Sequence, residues 1–581
     1  MIEPLQPYNE AKYDFIVTDI ENWPDGSVLC IDAAWREDDG IRHCRFDGWD
    51  DWWEWLLRMG RKGKKWRKVF AHNGGGWDWL SFIHWIIGTE WLNECIIDVV
   101  PAMSKLVVAK VVVKDRHTVL LCDSLQLLRS PLDSLAKTFL GRGKDDTGGL
   151  LPHELYALDR NRFDNYVRRD TESLLQVLEC ALDTIRTNVA KIDSFGPTIA
   201  STALKVFRTI YSGPSIAIPT DAGERKFLRD GYAGGRVECF SPSLQKRINV
   251  YDINSLYPHA MVSCQIPISD RTRWSKRFDP ERTGVWHVEW KQYDRSIPPV
   301  LLLGGDGVYE GTGFFYTPEL AALVRIDPRA KIEVVRGLVF TDVGKPFDEY
   351  VRLLFALRRT DKAGPLSLLC KYLLNSLYGK FGQRTTRKTI RVQSRFDSPT
   401  EYRWFIETNR PIELDAAKGV YMCQSNRVCN FEHVGIAGTI TSQARSILYE
   451  GILSAIRRGG SVVYCDTDSV HTTGTMETGN GLGEFKLEFS GRGCYVGKKL
   501  YGLQAADGTE KIRAKGVSVG GRNGARLCFD DLVRMLHGER VRCEFKQSAT
   551  LFQVMKGLTK PCVIGNMDGS ANRIRTLKLV E

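Results

Sequence analysis

Asp466 and Asp468 stand one residue apart in the run Tyr464-Cys465-Asp466-Thr467-Asp468-Ser469-Val470, which is rich in β-formers. Alternation along a strand sends both carboxylates to the same side. Like charges that close repel, and a divalent cation is the simplest compensation. A turn with two solvated acids accounts for most such triplets, so a metal site needs a third carboxylate and something to bind. Asp252 is the candidate: it ends the strand-like run Ile248-Asn249-Val250-Tyr251 and opens Asp252-Ile253-Asn254-Ser255-Leu256-Tyr257-Pro258. Between the two acidic stretches lies a helical pattern around Lys371 to Phe381. At about 100° per residue, Leu366, Cys370, Leu373, Leu374, Leu377 and Phe381 share one arc, a core face. Lys371, Asn375 and Tyr378 share another, with Ser367 beside them. A cation, an amide and an aromatic ring on one face suit a triphosphate and a base.

The N-terminal third holds a second set of acids. Asp19 and Glu21 follow a strand-like segment from Tyr13 to Thr18. Asp78 follows His72-Asn73-Gly74-Gly75-Gly76-Trp77, where three glycines let the backbone pass close to a ligand. Tyr166 and Asp170 lie four apart, on one face of a helix from Phe163 to Leu178. Four acids and a tyrosine suit a hydrolytic site in which two divalent ions about 4 Å apart activate a water and stabilise a leaving oxygen. This set resembles the DEDDy 3′–5′ exonucleases: Asp19/Glu21 match the first motif, Asn73/Asp78 the second and Tyr166/Asp170 the third. Trp77 departs from it, standing where Phe or Tyr is usual.

The elements that must position these groups follow from patterning. Ile436 to Ile456 reads as helix, Arg457-Arg458-Gly459-Gly460 as a turn, and the Asp466/Asp468 pair as riding on a hairpin. Ser255 to Tyr257 turn away from the Asp252 strand before Pro258 starts a helix. Helices are also expected at Trp49 to Leu57, Leu80 to Ile87 and Pro197 to Ile210, and strands at Val69 to Ala71 and Thr118 to Leu121, the last running into Asp123-Ser124-Leu125. The basic, Trp-containing run Arg58 to Lys68 reads as a solvated loop or, alternatively, as a place for phosphates and bases. With 581 residues, 43% hydrophobic and 26% charged, the chain is globular and calls for roughly four domains. Eighty-one Lys+Arg against 70 Asp+Glu give a net charge of +11, which favours a polyanionic partner without naming one. The 15 cysteines form no CxxC pair, excluding the common zinc spacings and pointing to reduced thiols. The Met1-Ile2-Glu3-Pro4 start carries no signal-peptide pattern, and no apolar run is long enough to span a bilayer, so a soluble intracellular protein is expected.

The chain as a whole is similar to the family B DNA polymerases. Asp252-x-x-Ser255-Leu256-Tyr257-Pro258, Lys371-x-x-x-Asn375-Ser376-x-Tyr378-Gly379 and Tyr464-x-Asp466-Thr467-Asp468-Ser469 resemble motifs A, B and C. Lys499-Leu500-Tyr501 resembles the KxY motif, Thr441-Ser442-Gln443-Ala444-Arg445 a Tx2AR motif and Tyr232-Ala233-Gly234-Gly235 the YxGG segment. The two apparent insertions point to the protein-primed branch, as in phages with a terminal protein. The resemblance implies an α/β and α+β multidomain fold: an RNase H-like exonuclease domain (1–188) and a right-hand polymerase. Its palm would occupy 189–261 and 432–522, its fingers 351–384 and its thumb 523–581. The insertions would be 262–350, touching the priming protein, and 385–431, encircling DNA for processive strand displacement.

The resemblance further implies two Mg2+ (or Mn2+) ions at each site, held by Asp252, Ile253 and Asp468 in one and by Asp19, Glu21 and Asp170 in the other, with Asp466 accessory. Ile253, Ser255, Leu256, Tyr257, Arg359, Lys371, Asn375 and Tyr378 would bind the incoming dNTP, Tyr257 excluding a 2′ hydroxyl. The branch often places a lysine where Ser367 stands, a charge Arg358 and Arg359 would supply. DNA would be held by His72, Asn73, Ser124, Leu125, Tyr232, Gly234, Gly235, Thr441, Arg445, Lys499, Tyr501 and Lys515. The expected partners of this monomer are primer–template DNA, dNTPs and a terminal protein, in a host cytoplasm if a phage encodes it or an organelle matrix if a linear plasmid does. Extension of nucleic-acid primers, unaided initiation, and a non-catalytic DNA-binding protein on the same fold are the alternatives.

Overall fold

The computed structural model describes residues 1–581 other than 6–12, 38–39, 62–67, 103–104, 114–117, 385–386, 416–417, 426–428, 516, 518–526, 547–561, 568–577 and 580–581. Most of the basic run after Arg58, and much of the expected thumb, therefore lie outside the described residues.

A mixed sheet forms the N-terminal third. Its central strand, Phe15–Asn22, pairs in parallel with Lys68–Ala71, which pairs in parallel with Thr118–Asp123. On the other side Val28–Glu37 and Gly40–Phe46 add an antiparallel meander. Asp19 and Glu21 lie within the central strand, which runs further than the β-forming residues alone suggest. Asp78–Ile87 and the helix Trp49–Arg61 pack together through Trp49, Trp52, Trp53 and Phe82, with ring centroids 5.2 to 5.5 Å apart between each tryptophan and Phe82. This tryptophan cluster is core. The helix Arg160–Asn188 carries Tyr166 and Asp170 against the central strand's meander partner and that strand itself.

The segment expected to be the second insertion, 385–431, joins the N-terminal sheet. Its strands Arg387–Val392, Val420–Ser425 and Ile412–Asp415 extend the same sheet beyond Cys95–Ala102, making ten strands in all. The hairpin Cys95–Ala102/Lys105–Val113 would otherwise leave a bare edge of N–H and C=O groups, which a further strand satisfies. Arg391 donates from Nε and Nη2 to the two carboxylate oxygens of Asp98, at 2.7 and 2.8 Å, locking the junction.

A seven-stranded antiparallel sheet underlies the other site, in the order Glu510–Ala514, Leu500–Gln504, Phe485–Gly497, Ser243–Ile253, Ser469–Thr472, Val462–Asp466, Val237–Cys239. The helix Val434–Arg457 runs through the interior and is buried on nearly every side, its buried Thr439, Thr441 and Ser446 hydroxyls donating to the helix's own carbonyls. Tyr316 lies so close that a Cβ on Gly438 would come within 2.1 Å of its ring. The first insertion holds a four-stranded sheet of Thr272–Ser275, Gly284–Lys291, Glu310–Tyr316 and Lys331–Phe340, capped by the helix Thr317–Ile326.

Two local readings are corrected. The helix after Asp252 begins at Leu256, not at Pro258, whose ring is tolerated in a first turn. The helix around Lys371 is broken: Pro365–Ser376 ends and Tyr378–Phe381 follows after a bend at Leu377. All cysteines with described side chains are free thiols. Among the described residues, no helix is long and apolar enough to cross a membrane.

Candidate active sites

Asp252 sits one residue from the end of Ser243–Ile253, and Ser469 is its partner across the neighbouring strand. The hairpin differs from the alternation argument. Asp466 ends its first strand, whereas Thr467 and Asp468 form a two-residue turn, with Thr467 in the left-handed region at φ 63. Tight hairpin turns need such a residue, so Asp468 reaches the site from the turn and not from a strand face. The turn is pinned by Thr467 N donating to Arg236 O (2.7 Å) and Ile253 N donating to Asp468 O (2.8 Å). Asp466 points elsewhere: Lys499 Nζ lies 2.5 and 2.6 Å from its two carboxylate oxygens.

Asp252 and Asp468 are left facing each other. Burial first, then Asp468 and Glu488, pushes the Asp252 carboxyl up to about 7, and burial foremost raises Asp468. Two buried oxygen donors that resist ionising together are a fitting donor set for a hard divalent cation. Among the described residues, no three His, Cys, Asp or Glu groups enclose an ion as placed, so an ion would rest on this pair together with backbone and substrate oxygens. Ile253 is 1% exposed and Leu256 2%, so both can contribute only main-chain atoms.

Above the pair, Lys371 and Asn375 are exposed on the broken helix, and the Tyr378 ring stacks on Tyr257 at 4.1 Å and 18°. Lys371 is close enough to draw the Asp252 carboxyl downward. Arg358 donates from Nη1 to Ser255 Oγ (2.9 Å), whereas its neighbour Arg359 is exposed. Arg358 is thus the arginine directed at this site.

The second site forms where Asp19 and Glu21 on the central strand, Asp78 at a helix N-terminus and Asp170 on Arg160–Asn188 converge. Burial, then mutual repulsion, raises the carboxyls of Asp19, Glu21 and Asp78. Asp170 is raised chiefly by burial, and the Tyr166 hydroxyl by burial, then Glu21 and Asp170. One cation answers Asp19, Glu21 and Asp170. Lys144 pairs with Asp170, sits 5.7 Å from the Tyr166 ring centroid, and draws down Asp19 and Glu21 as well. Nothing in the local pattern around Lys144 marked it, because it reaches the acids from a loop. The chemistry of the donor set fits divalent ions, which would have to share this pocket with the ammonium.

Comparison with known proteins adds the lineage. Residues 160–410 match the model of the family described as DNA polymerase type B, organellar and viral. The DNA-directed DNA polymerase of Enterobacteria phage PRD1 is 26% identical over 474 residues, covering 78% of this chain and 76% of that protein. A probable DNA polymerase of Podospora anserina is 25% identical over 460 residues, of which this chain spans 37% of the length. The structure of phi29 DNA polymerase complexed with primer–template DNA and incoming nucleotide substrates superposes with a TM-score of 0.69 at 18% identity, covering 87% of this chain and 92% of that one. The chain is thus similar to type B DNA polymerases of viruses and organelles.

The geometry re-sorts the residues expected to hold DNA. Arg445 is 5% exposed: its guanidinium pairs with Glu319 and donates to the carbonyls of Ala233 (2.8 Å) and Gly234 (2.6 Å). Buried and fully engaged, it positions the YxGG segment and does not reach a phosphate. Thr441 is buried in the same helix and donates to Gly438 O. Gly235 packs under the Asp466–Asp468 turn, where a Cβ would lie 2.9 Å from Thr467 and 3.1 Å from the Tyr257 hydroxyl. Tyr232 presses its hydroxyl on Gly382. The Tyr501 ring belongs to a buried cluster with Tyr464, His471 and Tyr495 that supports Lys499. Tyr464 Oη also accepts the Lys499 N–H (3.0 Å).

Gly234 stays open, and Lys515 is exposed with its N–H on Lys499 O (3.0 Å). At the second site His72 shares a hydrogen bond with Ser124 (2.9 Å); burial lowers it to about 4, so it is neutral. Asn73 is exposed and accepts from Lys105 Nζ (2.7 Å), while Leu125 is half-buried. The three glycines after Asn73 are buried and approach protein, not ligand: a Cβ on Gly75 would lie 1.9 Å from Leu106 O. Lys144, Arg358, Lys486 and Glu488 are the groups that sequence reading missed or left unplaced.

Proposed function

We propose that the protein is a DNA-dependent DNA polymerase with a separate 3′–5′ proofreading exonuclease site. The observation that carries the polymerase reading is the approach of Asp468, from the hairpin turn, to Asp252 on the neighbouring strand, with Lys371, Asn375 and the stacked Tyr257/Tyr378 alongside. Two divalent ions at such a pair supply charge neutralisation and a more acidic primer hydroxyl. The chain's own residues do the rest. Asp252 and Asp468 fix the reacting centre, and Lys371 with Arg358 neutralises phosphate charge. Tyr378 and Asn375 bound the base pair, while Tyr257 closes the floor where a 2′ hydroxyl would project. Lys499, steadied by Asp466, presents its ammonium to the primer strand.

In the second site Asp19, Glu21, Asp78 and Asp170 hold the hydrolytic ions. Tyr166 orients the attacking water, and Asn73 and His72 line the single-strand entry, with the buried Ser124 holding the His72 ring. The two insertions and the phage relatives support initiation on a priming protein and strand displacement. The test is magnesium-dependent primer extension. Asp468→Ala should abolish extension and retain degradation of single strands; extension surviving in a contamination-free preparation refutes the assignment. Incubation with labelled triphosphate and a candidate priming protein should give covalently labelled protein.

A further inference from the structure

We propose that Lys486 is a ligand of the incoming nucleotide's triphosphate, delivered from the palm strand Phe485–Gly497 opposite the helix that carries Lys371. This rests on the polymerase reading above. Lys486 is the direct partner of Asp252 across the two strands. Its Nζ lies 3.9 Å from Asp252 Oδ2 and 2.7 Å from Glu488 Oε1, and the side chain is 43% exposed. Glu488 is two residues along, at the irregularity where the strand shifts register between Leu487 and Phe489. Asp252 is thus flanked by two ammonium groups, Lys371 from the broken helix and Lys486 from the sheet; both draw its carboxyl downward.

The placement argues for an anionic ligand. A fixed ammonium beside the metal-binding carboxylates opposes a divalent ion, so its presence makes electrostatic sense when a polyphosphate arrives with that ion. A surface pair with Glu488 alone contributes only about 0–1 kcal/mol and does not require a place next to Asp252. At 3.9 Å the ammonium is outside hydrogen-bond distance of Asp252. A four-carbon stem lets it swing from Glu488 to a phosphate oxygen without moving the backbone. In the ternary complex it donates hydrogen bonds to the triphosphate and stays protonated as pyrophosphate leaves, while Glu488 parks it between cycles.

Equilibrium dNTP binding to the full chain on a dideoxy-terminated primer–template tests this without turnover. Lys486→Ala should weaken dNTP binding about tenfold, the equivalent of about 1.4 kcal/mol, and Lys486→Arg should recover part of it. Primer–template affinity and single-strand degradation should stay at wild-type values. The Lys486→Ala/Glu488→Gln double variant separates a ligand from a counter-ion: a ligand leaves the double variant weak, whereas wild-type dNTP affinity in it overturns the proposal. Unchanged affinity in Lys486→Ala overturns it too. If the wild-type chain binds no dNTP opposite a templating base, the polymerase reading itself fails and the proposal falls with it.

Discussion

Asp466 and Asp468 look equivalent as letters and have different work to do. Asp468 shares its environment with Asp252, whereas Asp466 spends both carboxylate oxygens on Lys499. Asp466→Asn should therefore weaken primer-terminus binding and leave the metal dependence of extension unchanged, while Asp468→Asn should shift the metal dependence. Titrating Mg2+ and primer separately distinguishes the two. Tyr257→Val should admit ribonucleotides at a measurable rate, because the ring stacked on Tyr378 forms the floor of the pocket. Five non-glycine residues among those described have left-handed backbones, and Asn73, Ser255, Thr467 and Lys499 are four of them. Such conformations cost of order 1–3 kcal/mol each and persist where neighbours enforce them. Their concentration at the two sites is independent support for these residues as functional positions.

At the scale of elements, two junctions hold the machine together. The Asp98–Arg391 pair sits where the second insertion joins the N-terminal sheet. Arg391→Asp should shorten extension products on long templates while single-nucleotide addition persists, and the Asp98→Arg/Arg391→Asp swap should restore product length. The buried helix Val434–Arg457 is the other junction. Gly438→Ala would drive a methyl into Tyr316 and cost about 1–3 kcal/mol, measurable by urea unfolding. These elements also show how far pattern reading goes. Asp19, Glu21, Asp252, Asp466 and Asp468 stood out because they end or interrupt β-rich runs; of the six residues on the expected core arc of the Lys371 helix, Cys370, Leu373, Leu374, Leu377 and Phe381 are fully buried and Leu366 is half-buried. Arg445 was misread because a buried arginine and a DNA-binding arginine look alike until Glu319 is in place, 126 residues away.

For the whole molecule, the separation of the two sites predicts separable activities. Asp19→Ala with Glu21→Ala should lower single-strand degradation ~100-fold or more, since several kcal/mol of charge stabilisation go with the metals, and spare extension. Acid sensitivity should arise at the buried histidines, His72 of the second site among them, and most testably at His433. It caps the long helix by accepting the Ile436 N–H at Nδ1, and burial lowers its pKa from 6.5 to about 4 against the small opposing pull of Asp270. Its folded pKa is the lower one, so its contribution is complete above pH 6.5 and is lost as pH falls through 4. Stability should drop by roughly 1.4 kcal/mol per pH unit over that window from this group. His433→Gln should flatten that slope in thermal unfolding between pH 7 and 5.

The sequence by itself determined the chemistry: which residues are acids, in what order, and on which local elements, since hydrophobic period and turn residues are short-range properties. Only the tertiary structure decided what those acids face. The left-handed turn at Thr467 directs Asp468 to Asp252 and leaves Asp466 to Lys499. The loop carrying Lys144 folds against the acids of the N-terminal site, and strand register sets Lys486 beside Asp252. Each depends on residues brought together from distant parts of the chain, and periodicity within a strand or helix carries no information about its partner.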